Sequence, residues 1–329
     1  MLHHPSTPLR PPASFDTLID AARRQPPLRT ACVHPCSPDA LRGVADAREL
    51  GLIDPVFVGP RHKVQACAAE AGLDTTGWQI EDVPHSHAAA VRGAELVRER
   101  QVFALMKGSL HTDEMMGAVL ASNAGLRTER RVSHVFVLAV PTYPKLLMIT
   151  DAAINITPSL EDKRDIAQNA IDLAHALGIA RPKLAILAAV ETVTSKMRST
   201  LDAAALCKMA DRGQITGGIL DGPLAFDNAI SAAAARSKGI RSDVAGDVDI
   251  LLVPDIESGN MLAKQLEHLG NAEMAGVVLG ARVPIILNSR SDPPSARVTS
   301  CAIARLMATE HRLPGGPITA ATATAGLAG

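Results

Sequence analysis

Aromatic side chains are scarce: they make up 2% of the 329 residues, with one Trp, one Tyr and five Phe. Stacking platforms for nucleic-acid bases need such rings, so their scarcity argues against a single-strand binder. Strong charge is missing as well. Lys and Arg total 33 against 34 Asp and Glu, a formal net charge of −1. That balance gives no field for a polyanion or an anionic membrane surface, and any anion must be held by local groups. No apolar run reaches the ~18 residues a membrane span needs. Met1 to Pro12 carries prolines and two histidines where a signal peptide would have an apolar stretch. The five cysteines (Cys32, Cys36, Cys67, Cys207, Cys301) are odd in number and scattered. They fit reduced thiols rather than a disulfide framework, and the Cys32–Cys36 pair lacks the second pair of a zinc site. GxxxxGK[ST], a GxGxxG after a strand, and HExxH are all absent, so ATP, dinucleotide and zinc-helix fingerprints are missing. These absences lead to the expectation of a cytoplasmic protein with metal-free chemistry and neither nucleic acid nor membrane as partner.

What is present is apolar content: 47% of the chain, mostly Ala, Val, Leu and Ile, which suits helices packed on parallel strands. The length allows two domains or one large one. Short apolar runs alternate with helical patterns, the signature of βα units. Thr30–Val33, Pro55–Gly59 and Val102–Met106 read as strands. Ser37-Pro38-Asp39 reads as a helix start with a cap, a first-turn proline and an acid at the positive helix end, and Gly51 as its stop. Val132–Val140 and Lys145–Thr150 flank the turn Pro141-Thr142-Tyr143-Pro144, which predicts an antiparallel hairpin and a passage between domains. Ser159 caps a long helix with Ile166, Ala170, Leu173, Ala174 and Leu177 on one face and Gly178 after its end. Further strands are expected at Leu184–Ala188, Gly218–Leu220, Asp249–Val253, Gly276–Leu279 and Val283–Leu287, then a helix from Ser295 to about Thr309. The tail from Pro314 is expected to fray.

Polar clusters follow these runs. Asn288-Ser289-Arg290-Ser291-Asp292 sets a hydroxyl, a cation and a carboxylate at one predicted strand tip, where open α/β sheets bind ligands. Met106-Lys107-Gly108-Ser109-Leu110-His111-Thr112 ends a strand ahead of a helix start, whose free N–H groups suit an anion. Arg127, Arg130 and Arg131 offer forks for phosphate. Asp221-Gly222-Pro223 reads as a turn projecting Asp221 and Asp227 near a strand tip, where a carboxylate can take a proton. Pro254 to Asn260 reads as a loop whose Gly259 and Asn260 bring backbone amides to a bound group. Each cluster alone also reads as an ordinary turn, cap or solvated face. Together they suggest one cleft for an anionic, phosphate-bearing substrate.

Five stretches carry a family resemblance: "LMKGSLHTDEMMGAVL", "RRVSHVFVLAVPTYPKLLMITDAAINI", "KMADRGQITGGILDGPLAFDNAIS", "VAGDVDILLVPDIESGNMLAKQLEHL" and "GARVPIILNSRSD". They run through roughly residues 100 to 305 almost without a gap, and the chain resembles the phosphate acetyltransferase/phosphate butyryltransferase family. Residues 106–180 look especially like the transferase half of fusions with an enoyl-CoA hydratase domain in front, for which this chain is too short. The resemblance implies acyl transfer between coenzyme A and inorganic phosphate, with coenzyme A as a substrate and no separate cofactor. It implies an α/β, isocitrate/isopropylmalate dehydrogenase-like fold: three αβα layers, a mainly parallel sheet and a cleft between two domains. The expected organisation is an arm at 1–14, a first domain of 15–143 plus 289–329, and a second of 144–288 that forms a homodimer.

Ser289 and Arg290 match the family's serine and arginine, which implies a donor to the reacting group and a clamp on the acyl phosphate. The acetyltransferase carboxylate seven residues after that serine corresponds to Ala296. Asp292 is the nearest carboxylate and the expected base, in a Ser-Arg-x-Asp form more like the butyryl branch; the identity of the base stays open. Expected substrate-binding residues are Lys107, Ser109, His111, Thr112, Arg130, Arg131, Asp227, Gly259 and Asn260, with no metal ligands. Acetyl is the expected acyl group. A phosphate butyryltransferase and an NAD-dependent decarboxylating dehydrogenase of the same fold are the alternatives, together with a catalytically dead binding protein.

Overall fold

The computed structural model describes residues 14–289 and 292–310. The chain divides into two compact units: Leu18–Val132 with Gly276–Gly329, and Met1–Thr17 with Ser133–Ala275. The first stretch carries α1 (Asp16–Arg23), β1 (Leu28–Val33), α2 (Pro38–Glu49), β2 (Ile53–Gly59), α3 (Arg61–Ala71), β3 (Gln79–Asp82), α4 (Ser86–Arg98), β4 (Ala104–Lys107) and α5 (Thr112–Leu120). Next come β5 (Ser133–Ala139), β6 (Leu147–Thr150), α6 (Leu160–Ala176), β7 (Lys183–Leu187), α7 (Arg198–Asp211) and β8 (Ile219–Leu224). Then follow α8 (Phe226–Ile230), α9 (Ala232–Ser237), β9 (Ile250–Leu252), α10 (Ile256–His268), β10 (Glu273–Leu279), β11 (Ile285–Ile286) and α11 (Pro294–Glu310).

In the first unit the strands lie in the order β3-β2-β1-β4-β11, all parallel. Val277 and Val278 of β10 pair antiparallel with β11. β1, β2 and β4 are almost wholly buried, the mark of parallel strands covered on both faces. Leu41, Val44, Leu52, Phe57, Val298 and Cys301 belong to one core. Trp78 stacks on Phe57 at 4.1 Å between ring centroids. α2 starts as its sequence predicts: the Ser37 hydroxyl accepts the Ala40 N–H, and Gly51 beyond its end has φ +72°.

In the second unit β5 and β6 form the expected antiparallel hairpin, and β6-β9-β7-β8 continue in parallel. Ser159 and Asp162 close a capping box on α6. Ile166, Ala170, Leu173 and Ala174 are buried, and a buried Lys163–Asp202 ion pair (2.8 Å) ties α6 to α7.

Several elements differ from the sequence reading. The units divide at Val132/Ser133 and Ala275/Gly276, where the reading has 143/144 and 288/289. Hairpin pairing from Val135↔Thr150 to Leu138↔Leu147 keeps β5 with β6, and the β10–β11 pairing carries residues from Gly276 with the other unit. β11 is only two residues long, because Pro284 has no N–H for a ladder. β8 runs on through Asp221, Gly222 and Pro223, so Asp221 lies in a strand and not in a turn. α3 and β3 carry too weak an apolar period for the reading to find. Most of the expected arm, and the tail from Pro314, lie outside the described residues.

Candidate active site

Adjacent parallel strands put their carboxyl ends side by side, and in the first unit three such tips come from β1, β4 and β11. Lys107 is paired with Val33 and Ile286 with Met106, so the loops after them share one edge. After β4, Gly108 donates its N–H to the Val33 carbonyl (2.9 Å), and the Ser109 N–H goes to the His34 carbonyl (2.8 Å). A Cβ on Gly108 would stand 2.4 Å from the His34 carbonyl oxygen. The close approach that glycine permits here is therefore to the β1 backbone. The Ser109 hydroxyl donates to the Ser37 hydroxyl (2.9 Å), which couples the β4 loop to the start of α2. Ser37 is a member of this edge that the sequence reading treats only as a cap.

Lys107 is expected to reach a ligand. Instead it is 5% exposed, and its ammonium donates to the Leu110 carbonyl (3.1 Å) and more weakly to that of Gly108 (3.4 Å). A buried cation needs such partners, so Lys107 stitches the loop together. His111 is exposed at the N-cap position of α5, with no capping bond from its ring, and half-buried Thr112 opens the helix.

The β11 tip is held by a compact network. Asn288 is buried, and its amide group donates to the Ser300 hydroxyl (3.2 Å) on α11. Ser289 is exposed; its N–H donates to the Asp292 carboxylate (2.8 Å), and its carbonyl accepts the Asp292 N–H (3.3 Å). Buried Arg297 then donates to the carbonyls of Asp292 (3.2 Å) and Ser289 (3.3 Å). Burial lowers the Arg297 pKa, and the Asp292 and Asp39 carboxylates oppose that. Asp292 is 6% exposed, so its carboxylate is turned towards the turn it closes. Ala296 is buried in the first turn of α11. Arg290 lies outside the described residues. Arg297 is missed by the sequence reading, since nothing in an amphipathic helix start marks one arginine as folded back on the preceding loop.

Six further expected residues lie on other elements. Arg130 and Arg131 are exposed and precede β5, an amino end and not a carboxyl end; the Arg130 N–H donates to Thr128 Oγ1 (3.1 Å). Asp227 lies in the first turn of α8 and pairs with Lys238 (3.1 Å), whose hydrogen bond holds its carboxyl below the ordinary range. Asp221 accepts the N–H of Gly222 (2.8 Å) within β8. Gly259 and Asn260 are inside α10. The Gly259 N–H is bonded to the Asp255 carbonyl (3.2 Å), and a Cβ there would stand 2.6 Å from Val253 Cγ2. Asn260 donates to the Ala152 carbonyl (3.2 Å). Both residues dock the helix on strand ends, and the Gly259 N–H is already used within it.

The reading also misses Asp151, 2% exposed after β6. Its carboxylate accepts the N–H groups of Ala153, Ile154 and Asn155 at 3.0–3.1 Å and the Asn155 side chain at 2.5 Å. Burial raises its pKa against these four donors. Among the described residues, no three His, Cys, Asp or Glu side chains group to hold a metal ion, and no helix is long and apolar enough to cross a membrane.

Comparisons with known proteins agree with this architecture. Residues 84–305 match the family described as Phosphate acetyl/butaryl transferase. A phosphate acetyltransferase of Rhizobium meliloti is 59% identical over 301 residues, covering 92% of this chain and 95% of its own. A phosphate butyryltransferase of Clostridium acetobutylicum is 38% identical over 295 residues, 90% of this chain and 98% of that one. The crystal structure of a branched-chain phosphotransacylase from Enterococcus faecalis V583 aligns with a TM-score of 0.75 at 29% identity, over 85% of this chain and 99% of its own. The 4-hydroxythreonine-4-phosphate dehydrogenase of Klebsiella pneumoniae shares the fold alone, with a TM-score of 0.53 at 13% identity over 86% and 99% of the two chains. The chain is thus a transferase on a dehydrogenase-like α/β fold. It belongs to the phosphate acetyl/butyryl transferase family.

Proposed function

We propose that this acyltransferase moves an acetyl group reversibly between coenzyme A and inorganic phosphate. The observation that carries the choice of acetyl is the 59% identity to a phosphate acetyltransferase against 38% to a phosphate butyryltransferase. In the direction of acetyl phosphate use, the coenzyme A thiolate attacks the acyl carbon, a C–S bond forms, and the C–O bond to phosphate breaks. Ser289 donates its hydroxyl to the oxyanion that develops on the acyl oxygen, and Arg290 clamps the phosphate. Asp292 supports both by closing the turn through the Ser289 N–H. Orientation of two bound substrates supplies much of the remaining acceleration.

A thiol-release assay with acetyl-, propionyl- and butyryl-CoA tests the acyl choice. Acetyl-CoA is expected to have the highest kcat/KM; a butyryl preference would overturn it in favour of the butyryl reading, which the Ser-Arg-x-Asp form favours. Ser289→Ala is expected to lower kcat by ~10²–10³ with folding intact. Arg290→Ala should raise the phosphate KM steeply.

We assign coenzyme A as a substrate and no separate cofactor, so activity should survive exhaustive dialysis against a chelator. We also assign the enzyme to the cytoplasm as a homodimer. Five free thiols suit a reducing compartment. Ile156, Met261 and Leu269 of the Ser133–Ala275 unit are 72%, 65% and 79% exposed, apolar surface that a second copy would cover. Sedimentation at the mass of one chain would remove the dimer.

A further inference from the structure

Moving an acyl group to a thiol needs a proton acceptor, because a thiol of pKa ~8.5 is mostly protonated at neutral pH. At the β11 tip the Asp292 carboxylate is 6% exposed and is committed to the Ser289 N–H. The same carboxyl edge of the sheet carries another titratable group, His34, the first residue after β1. Cys32 and Ile286 both pair with Met106, which fixes the strands in level. His34 is two residues past Cys32 and Asn288 two past Ile286, so His34 and the Ser289 turn leave the sheet at the same height. Only β4 lies between β1 and β11. At ~4.8 Å per strand their backbones are about 10 Å apart, a span that fits a sulfur and an acyl carbon between two side chains.

His34 is held in an unusual state. Its φ is +50°, in the left-handed region that residues with a Cβ seldom enter. Three main-chain hydrogen bonds keep it there. Its N–H donates to the Val58 carbonyl (2.7 Å), and its carbonyl accepts the N–H groups of Cys36 (2.8 Å) and Ser109 (2.8 Å). A backbone held in such a conformation by its surroundings is a feature of functional sites. The residue is half-buried, with Nδ1 enclosed and without a hydrogen-bond partner among the described residues. Such atoms are rare, and a catalytic task is one of the few reasons for them. An imidazolium needs an acceptor at both nitrogens, so the bare Nδ1 favours the neutral ring and leaves Nε2 as the end for a ligand. Burial lowers the His34 pKa from 6.5; Lys63 on α3 adds to this and Glu114 on α5 opposes it. Glu114 is itself engaged by the Ser86 hydroxyl (2.6 Å).

We propose that His34 is the general base of the acyl transfer. As the sulfur of coenzyme A forms its bond to the acyl carbon, the thiol proton passes to the imidazole. The C–O bond breaks with its electron pair going to phosphate, and the proton then leaves the ring for the released phosphate. In the reverse direction the imidazolium returns a proton to the departing sulfur. The assignment rests on the acyl-transfer reading and adds the proton acceptor to it.

Steady-state kinetics with acetyl phosphate and coenzyme A, beside thermal melts, test it. Asn and Gly both tolerate a left-handed backbone, so His34→Asn and His34→Gly should melt near wild type. Each should lower kcat by ~10²–10⁴. Wild-type turnover should fall as pH drops below 6.5, where the ring gains its proton. The variants should lose that limb and rise instead towards the thiol pKa of ~8.5. Added imidazole should restore His34→Gly by about tenfold or more, which a purely structural role would not allow. Wild-type kinetics in both variants would overturn the assignment and leave the acyl-transfer reading standing. So would a loss that imidazole does not restore and that keeps the wild-type pH profile. A wild-type chain without turnover would instead sink the acyl-transfer reading, and the role of His34 with it.

Discussion

Arg297 is the residue on which the β11 tip depends. Its guanidinium spans the carbonyls of Ser289 and Asp292, and a Cβ on Gly43 of α2 would stand 2.8 Å from its Cδ. The side chain therefore fills a slot that only glycine leaves open, while its head fixes both ends of the turn. Hydrogen bonds to a charged group are worth ~1.5–3 kcal/mol each when buried partners are lost with them. Arg297→Met is expected to lower unfolding free energy by about 2–3 kcal/mol in urea melts. It should also lower kcat by about tenfold with little change in KM for acetyl-CoA, because it loosens Ser289 and leaves coenzyme A contacts alone. Arg297→Lys should recover most of the stability but not kcat, since one ammonium cannot span two carbonyls. Equal recovery of both would reduce Arg297 to packing.

At the scale of elements, two glycines near α5 make opposite predictions. Gly108 stands where β4 passes the end of β1, and an added Cβ would meet the His34 and Val33 carbonyl oxygens at 2.4 and 2.6 Å. Neither is the end of a flexible side chain, so the backbones must part. Gly108→Ala should cost 3 kcal/mol or more, on the order of the worst overpacking, and break the Ser109–Ser37 hydrogen bond as well. Gly117 lies in the exposed middle of α5 with nothing within 4 Å of an added Cβ. Gly117→Ala should stabilise by about 0.5–1 kcal/mol through the unfolded chain. Thermal melts of the two variants beside wild type check both signs.

Over the whole molecule, acid sensitivity should trace in part to one charge network in the Ser133–Ala275 unit. Asp247 is paired with Lys145 (2.9 Å) and Lys183 (2.8 Å), and Lys145 also reaches Asp249 (2.8 Å). Burial opposes ionisation of Asp247, but the hydrogen bonds from Lys183 and Lys145 outweigh it and hold its carboxyl below the ordinary 3.8. A carboxylate lowered on folding adds stability above its unfolded value, and that stability is lost as pH falls through 3.8 and below. Asp247→Asn should therefore be less stable at neutral pH yet lose less on acidification. Midpoints of urea unfolding followed from pH 7 to about 3 would show the converging curves; parallel curves would count against the network.

Helix starts, helix stops and the hairpin were legible in the linear chain because their causes are local. Ser37, Ser159, Gly51 and Gly178 act within one turn of where they stand, and alternating apolar runs announce buried parallel strands. Ser289, Ser109 and the family motifs were legible for the same reason, as polar residues following apolar runs. Tertiary structure alone decided which of those polar residues face outward. Lys107 and the Gly259 N–H were taken by carbonyls within four residues of them, Asn260 by the Ala152 carbonyl far away along the chain, and Asp292 turned inward to close its own loop. Arg297 and Asp151 gained their roles, and His34 met the backbones of Val58 and Ser109, only because parallel strands bring distant segments to a common edge. Hydrogen-bond satisfaction of buried polar groups is a property of that assembled edge, and no spacing in the sequence encodes it.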